Sequence, residues 1–178
     1  MSETPARAIA LIGLMGAGKT AVAAALGERM GGSVADLDAM IEAAEGCSIA
    51  DLFTRAGESA FREREREVLR EALAANIQVF ACGGGVVLDA QCREMLRGRC
   101  RVIWLEVSPE VAAQRIGRDG SAAARPLLQG GEPVQRLRDL LSVRSPLYAE
   151  VAQTRVSTDG RTPAEIAEEI LQFTAGRA

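Results

Sequence analysis

The octapeptide Gly13-Leu14-Met15-Gly16-Ala17-Gly18-Lys19-Thr20 constrains this chain more than any other stretch. It fits the pattern G-x-x-x-x-G-K-[ST] and lies between an apolar run, Ala8–Ile12, and a 3.6-periodic stretch, Lys19–Met30. The glycines let the backbone curl with its N–H groups inward, and the following helix aims its positive end at the same point. Such a loop cradles phosphate. Lys19 can reach the β- and γ-phosphates of a nucleotide, and the Thr20 hydroxyl can ligate Mg²⁺. Gly13, Gly16, Ala17, Gly18, Lys19 and Thr20 are therefore the nucleotide-binding candidates. The bland alternative, a Gly-rich turn that only caps a helix, is disfavoured by the strand–loop–helix context. Lys19 is also the single lysine among 21 basic residues, the rest being arginine.

The remaining chain alternates short β-rich runs with helical periodicity. Val34–Asp36, Ile77–Ala81, Arg101–Val107 and Arg155–Ser157 read as further strands. Asp38–Ala44, Ser48–Arg55, Ser59–Ala75, Ala90–Leu96, Pro133–Ala152 and Pro163–Phe173 read as helices, with another starting at Ser108-Pro109-Glu110. Ser48 with Asp51 three residues on is a cap signal. Gly117–Glu132 reads as a loop. This alternation predicts an α/β protein with a parallel sheet and helices on both faces, built as a single domain over 1–178.

Composition removes several classes of function. With 48% apolar and 25% charged residues the chain is globular. There is no histidine, which excludes Ser-His-Asp and Cys-His machinery and His-ligated zinc. The net charge of −3 and six aromatic residues (four Phe, one Trp, one Tyr) argue against nucleic-acid binding. Cys47, Cys82, Cys92 and Cys100 form no C-x-x-C pair, and four free thiols suit a cytoplasmic protein. Met1–Arg7 lacks a signal-peptide stretch, and the longest apolar run is too short to span a membrane. No coiled coil or exposed apolar repeat asks for a dimer, so a monomer is expected.

Asp36 ends the second strand candidate, and Asp38 sits two residues on. In an extended segment their side chains would share one side, one near Mg²⁺ and the other on an acceptor hydroxyl. Read locally, either could equally be a helix cap. Arg62 lies in Arg62-Glu63-Arg64-Glu65-Arg66-Glu67, which local reading also allows as a solvated ion-paired face. The triplet Gly83-Gly84-Gly85 after a strand could be an ordinary loop, although ligands favour strand C-termini in open α/β sheets. Arg144, before Ser145-Pro146, could sit on the surface at a helix break.

Taken together, these motifs resemble shikimate kinase over roughly Ile9 to Phe173. They are the 13–20 loop, Asp36-x-Asp38, Phe61-Arg62-x-x-Glu65, Gly83–Gly85, Arg125-Pro126-Leu127-Leu128 and Arg144-x-Pro146-Leu147-Tyr148. The resemblance implies ATP-dependent phosphorylation of the 3-hydroxyl of shikimate, a step of aromatic amino-acid biosynthesis. It implies a three-layer P-loop fold of nucleoside-monophosphate-kinase type, with five parallel strands in the order 2-3-1-4-5 and a mobile lid. It further implies that Arg62 and Arg144 hold the substrate carboxylate and that Gly83, Gly84 and Gly85 bring backbone to the ring. Asp38 binds and orients the attacking hydroxyl, or accepts its proton. Glu65, one turn after Arg62, can fix the fork of that arginine. The substrate-binding segment would span about 37–66.

The lid, about 117–132, has glycine at both ends. Its Arg125 is the candidate for the transferring phosphoryl group, with Arg118 and Arg161 (beside Pro163) flanking adenine. Metal candidates are Thr20 and Asp36. Cys82, just before the glycine triplet, would make the site sensitive to thiol reagents. Two other functions stay in play: a related kinase acting on an acid such as gluconate, and a non-catalytic nucleotide-binding module.

Overall fold

The computed structural model describes residues 7–119 and 132–176. Five strands form one parallel sheet: β1 (Ala8–Ile12), β2 (Val34–Asp36), β3 (Val79–Ala81), β4 (Cys100–Glu106) and β5 (Thr154–Ser157). Their order is β2-β3-β1-β4-β5, as the resemblance implied. The helices are α1 (Lys19–Met30), α2 (Leu37–Glu45), α3 (Ile49–Ala74), α4 (Ala90–Arg99), α5 (Pro109–Arg118), α6 (Pro133–Val151) and α7 (Pro163–Ala175).

Both faces of the sheet are covered, so the central strands are apolar on both sides rather than alternating with polar residues. Ile9 and Leu11 of β1 join Val79, Ala81, Ile103 and Leu105 under α1, α5 and α7. Ala10 and Ile12 join Phe80, Val102 and Trp104 under α2, α3, α4 and α6. A fully buried aliphatic or Phe side chain contributes about 1.5–3 kcal/mol, and these two layers hold most of them. The aliphatic core expected from the scarcity of aromatics is present, with Trp104 and Tyr148 in tilted contact at 5.5 Å.

Local signals set the element ends. Ser48 caps α3 by accepting from the Asp51 N–H at 3.1 Å. Ser108 caps α5, with Pro109 in its first turn. Thr162 and Glu165 form a reciprocal capping box at α7. The two helices expected over 48–75 are joined into α3, but Gly57 interrupts it with φ 79° and ψ 176°. The sequence break between Arg55 and Ser59 is therefore a kink. The helix expected over 133–152 forms, and α6 runs unbroken through Pro146. One expectation needs correction: Gly117 and Arg118 are not loop but the last turn of α5. Residues 120–131, most of the proposed lid, lie outside the described residues.

The register aligns the strand ends that matter. Leu11 pairs with Ala81, and Ala81 with Asp36. The 13–20 loop, Asp36 and the glycine triplet therefore leave the carboxyl edge of the sheet side by side. Among the described residues no helix is long and apolar enough to cross a membrane.

Candidate active site

The loop after β1 takes the shape its glycines allow. Gly13, Gly16 and Gly18 have φ of 141°, 80° and 84°, a region that side-chain-bearing residues rarely adopt. A Cβ on Gly16 would lie 2.9 Å from the Cα and carbonyl oxygen of Ala112 on α5, so the loop lies directly on that helix. Gly18 caps α1 without a side-chain bond. The first-turn N–H groups of α1 then face whatever the loop encloses. Lys19 donates from Nζ to the carbonyls of Gly13 at 2.9 Å and Leu14 at 3.0 Å, which staples the loop closed. An ammonium has three donors and can keep part of this bonding while facing a phosphate.

Asp36 does two things at once. Its Oδ2 accepts from Thr20 Oγ1 at 2.6 Å, and its Oδ1 accepts from the N–H groups of Asp38 and Ala39 at 3.0 and 3.3 Å. It thus caps α2 and ties that helix to the phosphate loop. The expected extended pair is corrected here: β2 stops at Asp36, and Asp38 lies in the first turn of α2. Capping turns the chain at the strand end, and both carboxylates still line one cleft.

That cleft has a volume of about 720 Å³. At one end, Arg62 Nη1 donates to Glu65 Oε2 at 2.7 Å and Nη2 to Glu58 Oε1 at 3.2 Å, while its guanidinium lies 5.0 Å from the Phe61 ring centroid. Arg144 is buried at 3% exposure and donates to the Gly84 carbonyl at 3.1 Å. Tyr148 donates to the same carbonyl, and burial pushes its hydroxyl up to about 12. The glycine triplet is required by close approach. A Cβ on Gly83 would stand 2.7 Å from both Asp38 Oδ1 and Glu65 Oε1, and one on Gly85 would collide with the Arg62 guanidinium.

At the other end of the cleft lie Arg118, Arg161 and Pro163. Arg161 is held by Glu169 at 2.7 Å and by the Ser157 and Glu165 carbonyls. Every sequence-derived site residue within the described residues except Gly13 lines this cleft, and Gly13 forms the turn beneath it; Arg125 lies outside the described residues. The sequence reading missed Arg115, which reaches the phosphate loop from α5. It also missed the apolar wall of Phe53 and Phe61, whose centroids are 4.7 Å apart. The signal for that wall was available, since two of the four phenylalanines fall in the 48–66 stretch.

Oxygen donors meet at Thr20 and Asp36, which suits Mg²⁺. No group of three or more His, Cys, Asp or Glu among the described residues could hold a metal alone. Mg²⁺ keeps waters and phosphate oxygens as ligands and so asks for few protein groups. Cys82 corrects an expectation: it is 2% exposed and burial raises its thiol well above the ordinary range. A buried thiol held in its protonated form is a poor nucleophile, so thiol reagents should spare it.

The comparisons with known proteins decide the family. The shikimate kinase family model matches residues 15–175. The chain belongs to the shikimate kinase family. A shikimate kinase of Symbiobacterium thermophilum is 45% identical over 164 residues, 92% of this chain and 94% of that one. A shikimate kinase of Thermobifida fusca is 49% identical over 158 residues, 89% of each. The structure of the shikimate kinase of Acinetobacter baumannii in complex with shikimate superposes with a TM-score of 0.91 at 41% identity, covering 97% of this chain and 94% of that one. Family membership makes the chain a kinase.

One member of the pocket titrates in an unusual range. Glu65 is 1% exposed, and among the described residues its Oε1 has no hydrogen-bond partner. Burial, opposed by Arg62 and reinforced by Asp38, pushes its carboxyl up to about 7. The folded state then holds a proton that the unfolded chain releases near pH 4.5, so stability from this proton is full below pH 4.5 and is lost as pH rises through 7. Across that window the loss amounts to at most about 3 kcal/mol. Glu65→Gln mimics the protonated acid. Its Tm should gain on the wild type between pH 5 and pH 8, at ~2–4 °C per kcal/mol for a chain of this size. A Tm difference that stays constant with pH would show that Glu65 does not titrate there.

Proposed function

We propose that the protein transfers the γ-phosphoryl group of ATP to the 3-hydroxyl of shikimate, giving shikimate 3-phosphate and ADP. The observation that carries this reading is the convergence of Asp38, Arg62, Arg144 and the glycine triplet on the cleft that holds the phosphate loop. The shikimate-bound relative from Acinetobacter baumannii supports the same acceptor.

Each residue has a role that its surroundings suit. The forks of Arg62 and Arg144 bind a carboxylate, preferably in bidentate fashion. Glu65 and Glu58 hold the Arg62 fork, and Gly84 and Gly85 leave room for both guanidinium groups. Asp38 receives the acceptor hydroxyl, orients it and takes its proton. Lys19 and Arg125 stabilise the transferring phosphoryl group, while the loop N–H groups hold the rest of the polyphosphate. Arg118 and Arg161, with Pro163, flank the base. Thr20 and Asp36 would hold Mg²⁺, which on binding neutralises charge on the phosphates. Transfer is direct and in line, with no covalent enzyme intermediate. We place these parts on one kinase domain, with the acceptor segment over about 37–66 and a lid over about 117–132. The protein works as a cytoplasmic monomer.

The test is ADP release with Mg·ATP and shikimate, gluconate, quinate or AMP added separately. Saturable release with shikimate alone is expected. Release with gluconate instead would discard the acceptor assignment, and silence with all four would favour a non-catalytic module. The double variant Arg62→Ala/Arg144→Ala should raise the shikimate KM by about 10²-fold or more, since each charged hydrogen bond contributes about 1.5–3 kcal/mol. The ATP KM should stay within about twofold. An unchanged shikimate KM would remove both arginines from the acceptor pocket.

A further inference from the structure

Glu65 has a second carboxyl oxygen that the roles above leave unused. Its Oε2 accepts from Arg62 at 2.7 Å, but among the described residues its Oε1 has no hydrogen-bond partner, although the side chain is buried. A buried polar atom without a partner is costly and asks for an explanation. Oε1 is aimed at the glycine triplet. It and Asp38 Oδ1 both lie 2.7 Å from the point where a Gly83 Cβ would stand, so the two carboxylate oxygens are no more than twice that distance apart. Both residues line the cleft with Gly83.

Charged and titratable groups surround Glu65 from every side. α3 itself supplies Arg62, with the exposed Glu58 on its fork, and the Arg66–Asp89 ion pair toward α4. α2 supplies Asp38, and α6 supplies Arg144 and the Tyr148 hydroxyl. Cys82 lies before the triplet, with Lys19 of the phosphate loop beyond it, and Cys92 lies on α4. Burial raises both thiols and the Tyr148 hydroxyl, so these three stay neutral near pH 7. The acceptor end of the cleft is then balanced, with Arg62 and Arg144 against Asp38 and Glu65. A substrate carboxylate on the two guanidinium groups leaves three negative charges against two positive ones where water is scarce. It also draws on the cations that oppose the rise of the Glu65 carboxyl. Burial already pushes that carboxyl up to about 7, so a single proton at neutral pH restores the balance.

We propose that acceptor binding is coupled to proton uptake by Glu65: when the substrate carboxylate occupies Arg62 and Arg144, Glu65 takes a proton from solvent onto Oε1 and aims it at Asp38, which stays ionised to receive the acceptor hydroxyl. This rests on reading the cleft as the shikimate site. The proton returns to solvent when the acceptor end empties. Glu65 is then a positioning residue whose charge follows the substrate, rather than a fixed brace for Arg62 alone. By linkage, the affinity for the anionic acceptor falls as pH rises and the proton becomes harder to recruit.

The experiment is calorimetric titration of shikimate into the protein at pH 7.5, in HEPES and in Tris. These buffers differ in ionisation enthalpy, so the difference in heat counts the protons bound. A neighbouring charge moves the midpoint of a carboxyl by about 1–3 pH units. At the lower figure, roughly half a proton enters per shikimate bound at pH 7.5, and the Kd rises about tenfold from pH 6 to pH 9. Shikimate is a carboxylate anion throughout that range, so the change belongs to the protein. Glu65→Gln should take up no proton, and its Kd should stay within about twofold over the same range. A second measurement needs no variant, should Glu65→Gln not fold. In wild type with ¹³C-labelled glutamate, the carboxyl resonance that titrates near neutrality should move its midpoint up by about one pH unit or more when shikimate saturates the site. Equal heats in the two buffers, a wild-type Kd that is flat with pH, an unmoved resonance, or an uptake that survives in Glu65→Gln would overturn the inference. A wild type that does not bind shikimate saturably at any pH would instead overturn the acceptor reading, and the inference with it.

Discussion

Lys19→Met abolishes phosphoryl transfer and leaves the fold standing. The expectation follows from what the ammonium touches. Lys19 is the first residue of α1, and its Nζ is held at the inner rim of the loop by the Gly13 and Leu14 carbonyls. Met matches its length and is a comparable helix former, so α1 is preserved. What disappears is a positive charge placed where negative charge moves during transfer. Removing one preorganised donor of this kind lowers kcat by about 10²–10³, and loss of a full charge should exceed that. The two carbonyls lose their donor, which loosens the loop and weakens ATP binding as well. Turnover below about 10⁻³ of wild type, with unchanged circular dichroism and a Tm within a few degrees, is the expected pair of results. Full activity would remove Lys19 from the chemistry, and a collapsed Tm would show that its bonds to the loop hold the fold.

How far the site could be read beforehand depends on the range of each interaction. The 13–20 loop was legible because every requirement is local: a strand, glycines at fixed spacing, a helix start. The sheet follows from strand–helix alternation, and α3 announces itself by Ser48 at its cap, whereas the Thr162 cap of α7 emerges only in the structure. Asp36 was half legible. From sequence a helix cap and a place near Mg²⁺ compete, but one carboxylate has two oxygens: one caps α2 and the other accepts from Thr20. Read locally, the run around Arg62 favours a solvated ion-paired face, because an alternating Arg-Glu run carries no sign of which side is buried. Only packing shows that Glu65 is buried while Glu67 and Glu71 stay exposed.

The failures have the same origin. The thiol of Cys82 was judged by its neighbours in sequence, whereas its chemistry is set by complete burial between β3 and the opposite layer. At Pro146 the sequence leaves a helix break as an alternative to the helix expected over 133–152, and the helix is what forms. The helix passes through it because both flanks are pinned, Arg144 and Tyr148 to the Gly84 carbonyl and Ser145 to Leu141. Arg115 contacts residues 99 and 43 positions away, and no periodicity within α5 marks it. Its importance is a property of the tertiary structure alone. Lid residues 120–131, including Arg125, still rest on the family motif.

Asp38→Asn is the sharper probe of the acceptor side, because it changes chemistry while leaving architecture in place. The bond from residue 38 to Asp36 comes from the backbone N–H, so the α2 cap survives the substitution. An amide is nearly the size of a carboxylate, so Gly83 still faces an atom of similar radius. The carboxamide can orient a hydroxyl but cannot take its proton. The kcat should fall by about 10²-fold or more, with the shikimate KM changed much less, since the proposed function gives the carboxylate binding to Arg62 and Arg144. A second readout comes from Glu65, whose carboxyl is raised partly by the nearby Asp38 charge. Neutralising residue 38 should lower the pH at which Glu65 ionises in the folded protein, so the fall in Tm with rising pH should end at a lower pH and be smaller than in the wild type. A loss of rate together with this shift places the Asp38 carboxylate at the acceptor end beside Glu65, as the geometry requires. A full rate would remove it from proton transfer, and a lost rate without the shift would mean that the two carboxylates are not coupled across Gly83.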